Sequence, residues 1–197
     1  KKLENDGKNT ICELIIPLPG ETKHTYVNST KILLDCGVRI GTYTLMMLQG
    51  TELGKEDAIN KYGMKSKWRI VPRDFGQYRG KKVFDVEQVC VATNTMPYKD
   101  YLNCRRFSLI IELFTNAVFF PLIKLIKEEL NISLFEFIKA IFDNLEDNYD
   151  NEYLNTNTAN NFSAVYSEFS RECEQELFNS KEDIYEYFSK DKNYNKL

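Results

Sequence analysis

The chain is poor in the residues from which most catalytic and metal sites are built. Its 197 residues include one histidine, His24, and five cysteines, Cys12, Cys36, Cys90, Cys104 and Cys173. His24 has no second imidazole with which to share a metal and no nearby carboxylate pair to orient it. It falls in the first turn of a predicted, exposed helix, and no Ser-His-Asp or Cys-His arrangement can be placed around it. The cysteines are odd in number, and the two closest in sequence, Cys90 and Cys104, stand fourteen residues apart. That matches no zinc or iron–sulfur ligand spacing. Cys12, Cys36 and Cys90 lie in apolar strand-like or helix-end contexts. The expectation is buried, reduced core thiols and, by default, a cytoplasmic compartment.

Neither sign of charge dominates. Twenty-six basic and 29 acidic residues leave a net charge of −3, and the basic ones are spread out. There is no electrostatic case for nucleic acid. No signal peptide is visible, and the polar start KKLENDGKNT lacks an initiator Met, as expected of a piece of a longer protein. The apolar stretch 109–126 is interrupted by Glu112, Asn116, Pro121 and Lys124. It reads as a buried core helix, with no membrane partner. Residues 143–152, DNLEDNYDNE, read as a solvated connection. No internal repeat occurs, and the Asn and Tyr bias of the last fifty residues is compositional only.

What is present is globular: 43% hydrophobic and 28% charged residues, enough for one domain or slightly more. Ile11–Ile16 reads as a short strand covered on both faces, because only Glu13 breaks its apolar run. Pro17 and Pro19 stop the pairing, and Gly20 allows a sharp turn. Glu21 or Thr22 caps a helix running to about Asp35, with Tyr26, Ile32 and Leu33 inward and Gly37 ending it. A second strand follows at 38–45. Strand, helix, strand is a βαβ unit, so the two strands should be parallel neighbours. A short helix reaches Tyr62. Residues 63–82 read as irregular. Residues 83–93 read as extended, with Phe84, Val86, Val89 and Val91 on a covered face.

Beyond this the chain reads as helical. Tyr98–Thr115 is one helix, followed by a break at Asn116 and Ala117. A helix over 118–130 carries Pro121 in its first turn. Another starts at a Ser133 N-cap with Glu136 completing a capping box. A single last helix spans about 160–189, with Phe162, Val165, Tyr166, Phe169, Cys173, Leu177, Ile184 and Phe188 at helical spacing.

The candidate chemistry sits where the strands end. PLPGET and TLMMLQGTEL are two strand ends side by side, and ligands of parallel sheets gather there. The first leads into a helix N-terminus, whose free N–H groups favour an anionic or carboxylate-bearing ligand. It is no phosphate loop, because it lacks the Lys-Ser/Thr pair and has one Gly. On pattern alone, a plain turn stiffened by prolines explains it as well. Glu112, in the apolar run LIIELF, faces Arg105, Arg106 or a backbone group, or else acts as an acid or base. Arg73 and Asp74 read as a buried ion pair pinning their loop rather than as substrate contacts.

IIPLPGET and TYTLMMLQGTEL, about twenty residues apart, resemble the fifth and sixth strands of a radical S-adenosylmethionine (SAM) barrel. The text that follows resembles the region beyond the barrel in cobalamin-binding radical SAM enzymes. It has a Pro-Arg-Asp-Phe-Gly loop, a strand, a Thr-Asn-Thr-Met turn and a Phe-rich helical tail. The likeness covers roughly residues 11–140; residues 141–197 match nothing nameable. It implies an α/β fold, the C-terminal part of a partial (β/α) barrel followed by a helical subdomain. Residues 1–62 would be the last barrel strands, 63–96 an irregular crossover and 97–197 the helical extension. It also implies SAM as cofactor, near Ile16, Pro17 and Leu18 of one strand end and Tyr43, Thr44 and Leu45 of the next. In that family three cysteines of a CxxxCxxC motif hold an iron–sulfur cluster that cleaves SAM to an adenosyl radical. This chain has no such motif, and no cobalamin-binding domain or first four strands. The resemblance therefore places the cluster ligands and the cobalamin domain in upstream segments, with a small-molecule or peptide substrate. The chain alone is expected to be inactive and to hold no metal, and no general acid or base can be assigned. Pro17 stands where a Gly is common in the family, and Gln49 where a Pro is common. Two other readings stay open: a non-catalytic helical interaction module on a barrel remnant, and a methylthiotransferase acting on RNA, which the acidic balance disfavours.

Overall fold

The computed structural model describes residues 10–148 and 162–194. It is a mixed helix and sheet structure. Strand β1 (Ile11–Ile16) leads through helix α1 (Lys23–Asp35) to strand β2 (Arg39–Thr44), and the two strands pair in parallel with Ile11 opposite Arg39 and Ile16 opposite Thr44. The βαβ expectation holds. After a one-turn 3-10 helix and α2 (Glu56–Tyr62) comes a long hairpin, β3 (Lys65–Tyr78) and β4 (Lys81–Ala92). The helices α3 (Tyr98–Thr115), α4 (Phe120–Leu130), α5 (Leu134–Asp147), α6 (Phe162–Gln175), α7 (Lys181–Ser189) and α8 (Asp191–Tyr194) complete the described chain.

The two sheets join through the segment after β2. Met47 N–H donates to Gln88 O, and Cys90 N–H donates to Leu45 O. One core runs from Ile16 and Tyr26 through Val89, Met96, Phe107 and Ile111 to Phe135, Phe142 and Tyr166. A smaller cluster gathers Leu45, Met47, Met64 and Cys90.

Several expectations give way. Residues 63–82 are largely strand, not irregular. β3 is polar and carries Pro72, so its pattern is weak in isolation, and β4 supplies the pairing that it cannot announce by itself. Pro72 sits where the ladder slips. Ile70 pairs with Val86 and Phe75 with Phe84, so residues 71–74 bulge opposite Asp85. The missing proline N–H costs no ladder bond there. The hairpin turn is Arg79-Gly80, both at positive φ (48° and 76°), which suits the twist of the flanking strands.

The single last helix is two. Helix α6 ends at Gln175, Phe178 then pairs with Trp68 as an isolated bridge, and Ser180 starts α7 with a capping box to Asp183. The start of the expected helix, residues 160 and 161, lies outside the described residues, as do residues 149–152 of the expected solvated connection; residues 143–147 of it are instead the end of α5, with Leu145 buried.

β1 is not covered on both faces. Leu14 and Ile16 pack into the core, while Ile11, Glu13 and Ile15 are exposed. The helices cover one side only. In α1 the buried set is Tyr26, Thr30 and Leu34, and Ile32 is 57% exposed. Thr30 fits the buried stripe because its hydroxyl donates to Tyr26 O of the preceding turn. Cys36 is exposed and Cys12 only half-buried, so the buried-thiol expectation holds for Cys90, Cys104 and Cys173 alone. Ser133 does cap α5, accepting from Glu136 N–H, but its hydroxyl also binds Asp35, and no reciprocal Glu136 bond forms. Arg73 and Asp74 are both exposed rather than a buried pair.

Among the described residues no single helix is long and apolar enough to cross a membrane. The apolar stretch breaks into α3 and α4, bent by 85°, and only the two together have the length and apolar composition of a span.

Candidate functional site

The ends of β1 and β2 lie side by side, as their register requires. Ile16 O accepts from Leu45 N–H at 2.7 Å, one step beyond the last paired residues. The chain then turns through Pro17, with a cis Ile16–Pro17 bond, to Gly20 at φ 84°. Nothing lies within 4 Å of where a Gly20 Cβ would stand, so the backbone angle rather than crowding requires glycine there. Thr22 caps α1, its hydroxyl accepting from Thr25 N–H while the Thr25 hydroxyl accepts from Thr22 N–H. Part of the donor set of this helix N-terminus is thereby already used, which lessens its call on an anion.

A second loop braces the first. The Thr95 hydroxyl donates to Glu21 O at 2.7 Å, and Thr93 accepts from the amides of Thr95 and Met96. The PLPGET turn and the Thr-Asn-Thr-Met turn, seventy residues apart, are thus in direct contact. No spacing in the sequence indicates this. Burial raises the Glu21 carboxyl above the usual range, a backbone hydrogen bond at Leu18 opposes it, and Glu21 Oε2 is buried with no partner.

The six residues assigned by resemblance separate into two sets. Leu18 and Tyr43 are presented to solvent, at 36% and 53% exposure. Ile16, Pro17, Thr44 and Leu45 are buried. The cause is strand alternation: Tyr43 lies on the open face and Thr44 on the helix side. A ligand on the open face meets the side chains of Tyr43 and Leu18, with Ile15, which is paired with Tyr43, and exposed Met46 close by in the chain. The period-2 pattern could have nominated Ile15; the sequence reading did not. Past the end of β2 a cavity of about 410 Å³ is bounded by Met46, Leu48, Trp68, Asp74, Asp85 and Tyr185 among others.

Behind the strand ends lies a buried polar cluster. Arg69 Nε donates to Glu87 at 2.6 Å, and Arg69 and Arg105 both donate to Glu176 Oε1 at 3.3 Å. The Thr44 and Tyr101 hydroxyls are buried beside it. Burial raises the Tyr101 hydroxyl, and Arg105 offsets part of this. Glu112 is no acid–base candidate here. It is exposed and accepts from the Thr42 N–H and hydroxyl, so of the expected partners the backbone group is the one observed. Burial pushes the Cys90 and Cys173 thiols up to about 11 and Cys104 up to about 12, so all three are protonated and inert at neutral pH.

These residues fit an apolar or aromatic ligand surface better than a metal. Among the described residues no group of three or more His, Cys, Asp or Glu could hold a metal ion. In comparisons with known proteins, no family model and no curated sequence matches the chain.

Proposed function

We propose that this chain is the C-terminal portion of a radical SAM enzyme, of the cobalamin-binding kind, with β1 and β2 as its last two barrel strands. One observation carries this beyond the sequence resemblance: the β1–β2 sheet is partly capped by α3 on one side and open on the other. Along the outer edge of β2, Glu112 takes the Thr42 N–H and the Thr115 hydroxyl donates to Ile40 O. Farther on, β4 pairs with the segment after β2. No described residue pairs with the outer edge of β1, and the face bearing Ile11, Ile15 and Tyr43 is uncovered. The fully open edge of β1 is where the sheet can grow, and its apolar face needs a cover. Preceding strands of a barrel would supply both.

When bound, SAM supplies an adenosyl or methyl group. This chain's own part is to present Tyr43 and Leu18 as an apolar surface for the nucleoside and to hold the PLPGET turn against Thr95. The cluster ligands and the cobalamin domain belong to the upstream segments. The test is expression of the whole reading frame beside the 197-residue chain, each reconstituted anaerobically with iron and sulfide. Stoichiometric cluster and SAM cleavage in the long protein only are expected. A long protein without a close cysteine trio, or without SAM cleavage, overturns the assignment.

The second reading is a helical interaction module. It is favoured by the outward apolar side of α4, where Leu122 and Leu125 are exposed next to Val118 and Phe119. If it holds, Leu122→Lys abolishes partner capture and leaves the fold unchanged.

A further inference from the structure

Pro72, in the β3 bulge, faces the helices that follow residue 161 across a cleft of about 400 Å³. Its walls include Phe75 from β3 and Phe178, Tyr187 and Phe188 from the C-terminal elements. The last three rings form a tilted corner. Phe178 and Tyr187 have centroids 5.4 Å apart at 57°, and Tyr187 and Phe188 4.9 Å apart at 80°. The rim is acidic, with Glu172 and Glu176, and no Lys or Arg lines the cleft.

We propose that this cleft binds an alkylammonium cation, its charge against the ring faces and Glu172 and its methylene or methyl groups against Val71 and Pro72. The charge balance points to a cation. Glu176 is already committed to Arg69 and Arg105, and Arg69 also pairs with Glu87. Two guanidinium groups and two carboxylates thus cancel. Glu172 is exposed, and its carboxylate has no partner among the described residues, so it carries the net charge of the rim. Neighbouring rings are already occupied. Lys181 lies over Tyr185 and Lys82 over Tyr194, whereas no cation of the described chain lies over Phe178, Tyr187 or Phe188. Aromatic faces beside an unspent carboxylate attract a weakly hydrated cation through the ring quadrupole. The volume suits a side chain or small ligand rather than a bare ion. The proposal is independent of the barrel assignment, since its residues lie outside β1 and β2.

The test is titration of the full 197-residue chain with choline and with its neutral isostere 3,3-dimethyl-1-butanol, at constant ionic strength. Readouts are ring-proton chemical shifts and the fluorescence of Trp68, the chain's single tryptophan, whose backbone pairs with Phe178. Saturable millimolar binding of choline is expected, with the isostere about tenfold weaker. Glu172→Gln should weaken choline several-fold. That substitution is at an exposed position and should keep the fold, which far-UV dichroism checks. Tyr187→Leu should weaken choline further than it weakens the isostere. Equal binding of the isostere, an unchanged affinity in Glu172→Gln, the same response to sodium chloride, or no saturation by choline would each overturn the proposal.

Discussion

Arg73 and Arg79 hold left-handed backbone angles, φ 68° and 48°, without being glycine. Left-handed backbone costs a side-chain-bearing residue about 1–2 kcal/mol, less for Asn. At Arg79, before Gly80 in a two-residue hairpin turn, Asn is the preferred residue. Arg79→Asn should therefore stabilise the chain by about 0.5–1 kcal/mol, read as a higher urea midpoint with unchanged slope. Glu146 sets a different balance. Burial works to raise its carboxyl, but hydrogen bonds from Arg106, Tyr166 and Asn103 outweigh this and hold it below the usual range. A carboxyl depressed in the folded state contributes stability above its unfolded value, and that stability is lost as pH falls through the folded value. Acid titration of the unfolding midpoint should show this loss below about pH 4.5. It should be largely absent in Glu146→Gln, which itself costs about 1–3 kcal/mol at neutral pH by unpairing a partly buried network.

At the scale of elements, the break between α6 and α7 decides how the C-terminal helices meet the hairpin. Phe178 leaves the helix to exchange two backbone hydrogen bonds with Trp68, at 2.9 and 2.7 Å, and Ser180 restarts the helix with a reciprocal cap. Ser180→Ala should cost about 1 kcal/mol in thermal or urea unfolding, the usual loss for such a cap. Fluorescence of Trp68 should report that loss together with helix dichroism, since α7 and the β3 edge are joined at this point. A similar division of labour closes β2. Two groups of its outer edge, Thr42 N–H and Ile40 O, are taken by side chains of α3 rather than by a strand.

For the whole molecule the asymmetry of the β1–β2 sheet has the largest consequence. Ile11 and Ile15 stand exposed on a strand whose outer edge no described residue pairs. An apolar open edge is a template for association. The isolated chain should elute as a concentration-dependent oligomer in size-exclusion chromatography with light scattering. Ile15→Lys should shift it toward monomer without lowering its urea midpoint by more than about 1 kcal/mol equivalent, because the side chain faces solvent. A cooperative monomer at all concentrations would remove the support that the open edge lends to the barrel assignment.

Elements with short-range signals could be read from the residues alone. β1, α1 and β2 were legible because prolines, a glycine and a threonine cap punctuate a βαβ unit. The break at Asn116 was legible because Asn and Ala interrupt an apolar run before Pro121. The readiness of a free thiol to be buried described Cys90, Cys104 and Cys173 correctly and Cys12 and Cys36 wrongly. The remaining features depend on contacts between distant parts of the chain. β3 becomes a strand because β4 pairs with it, Phe178 leaves a helical pattern because the edge of β3 accepts it, and Ile32 stays outside because Tyr26, Thr30 and Leu34 make the tighter stripe. Of the six residues assigned to the strand ends, alternation turns Tyr43 outward and Thr44 inward, and the end of β1 leaves Leu18 exposed. The clasp of Thr95 on Glu21 and the cleft of Phe178, Tyr187 and Phe188 join residues far apart in the chain. Their proximity comes from packing and hydrogen bonding across elements, which no local pattern encodes.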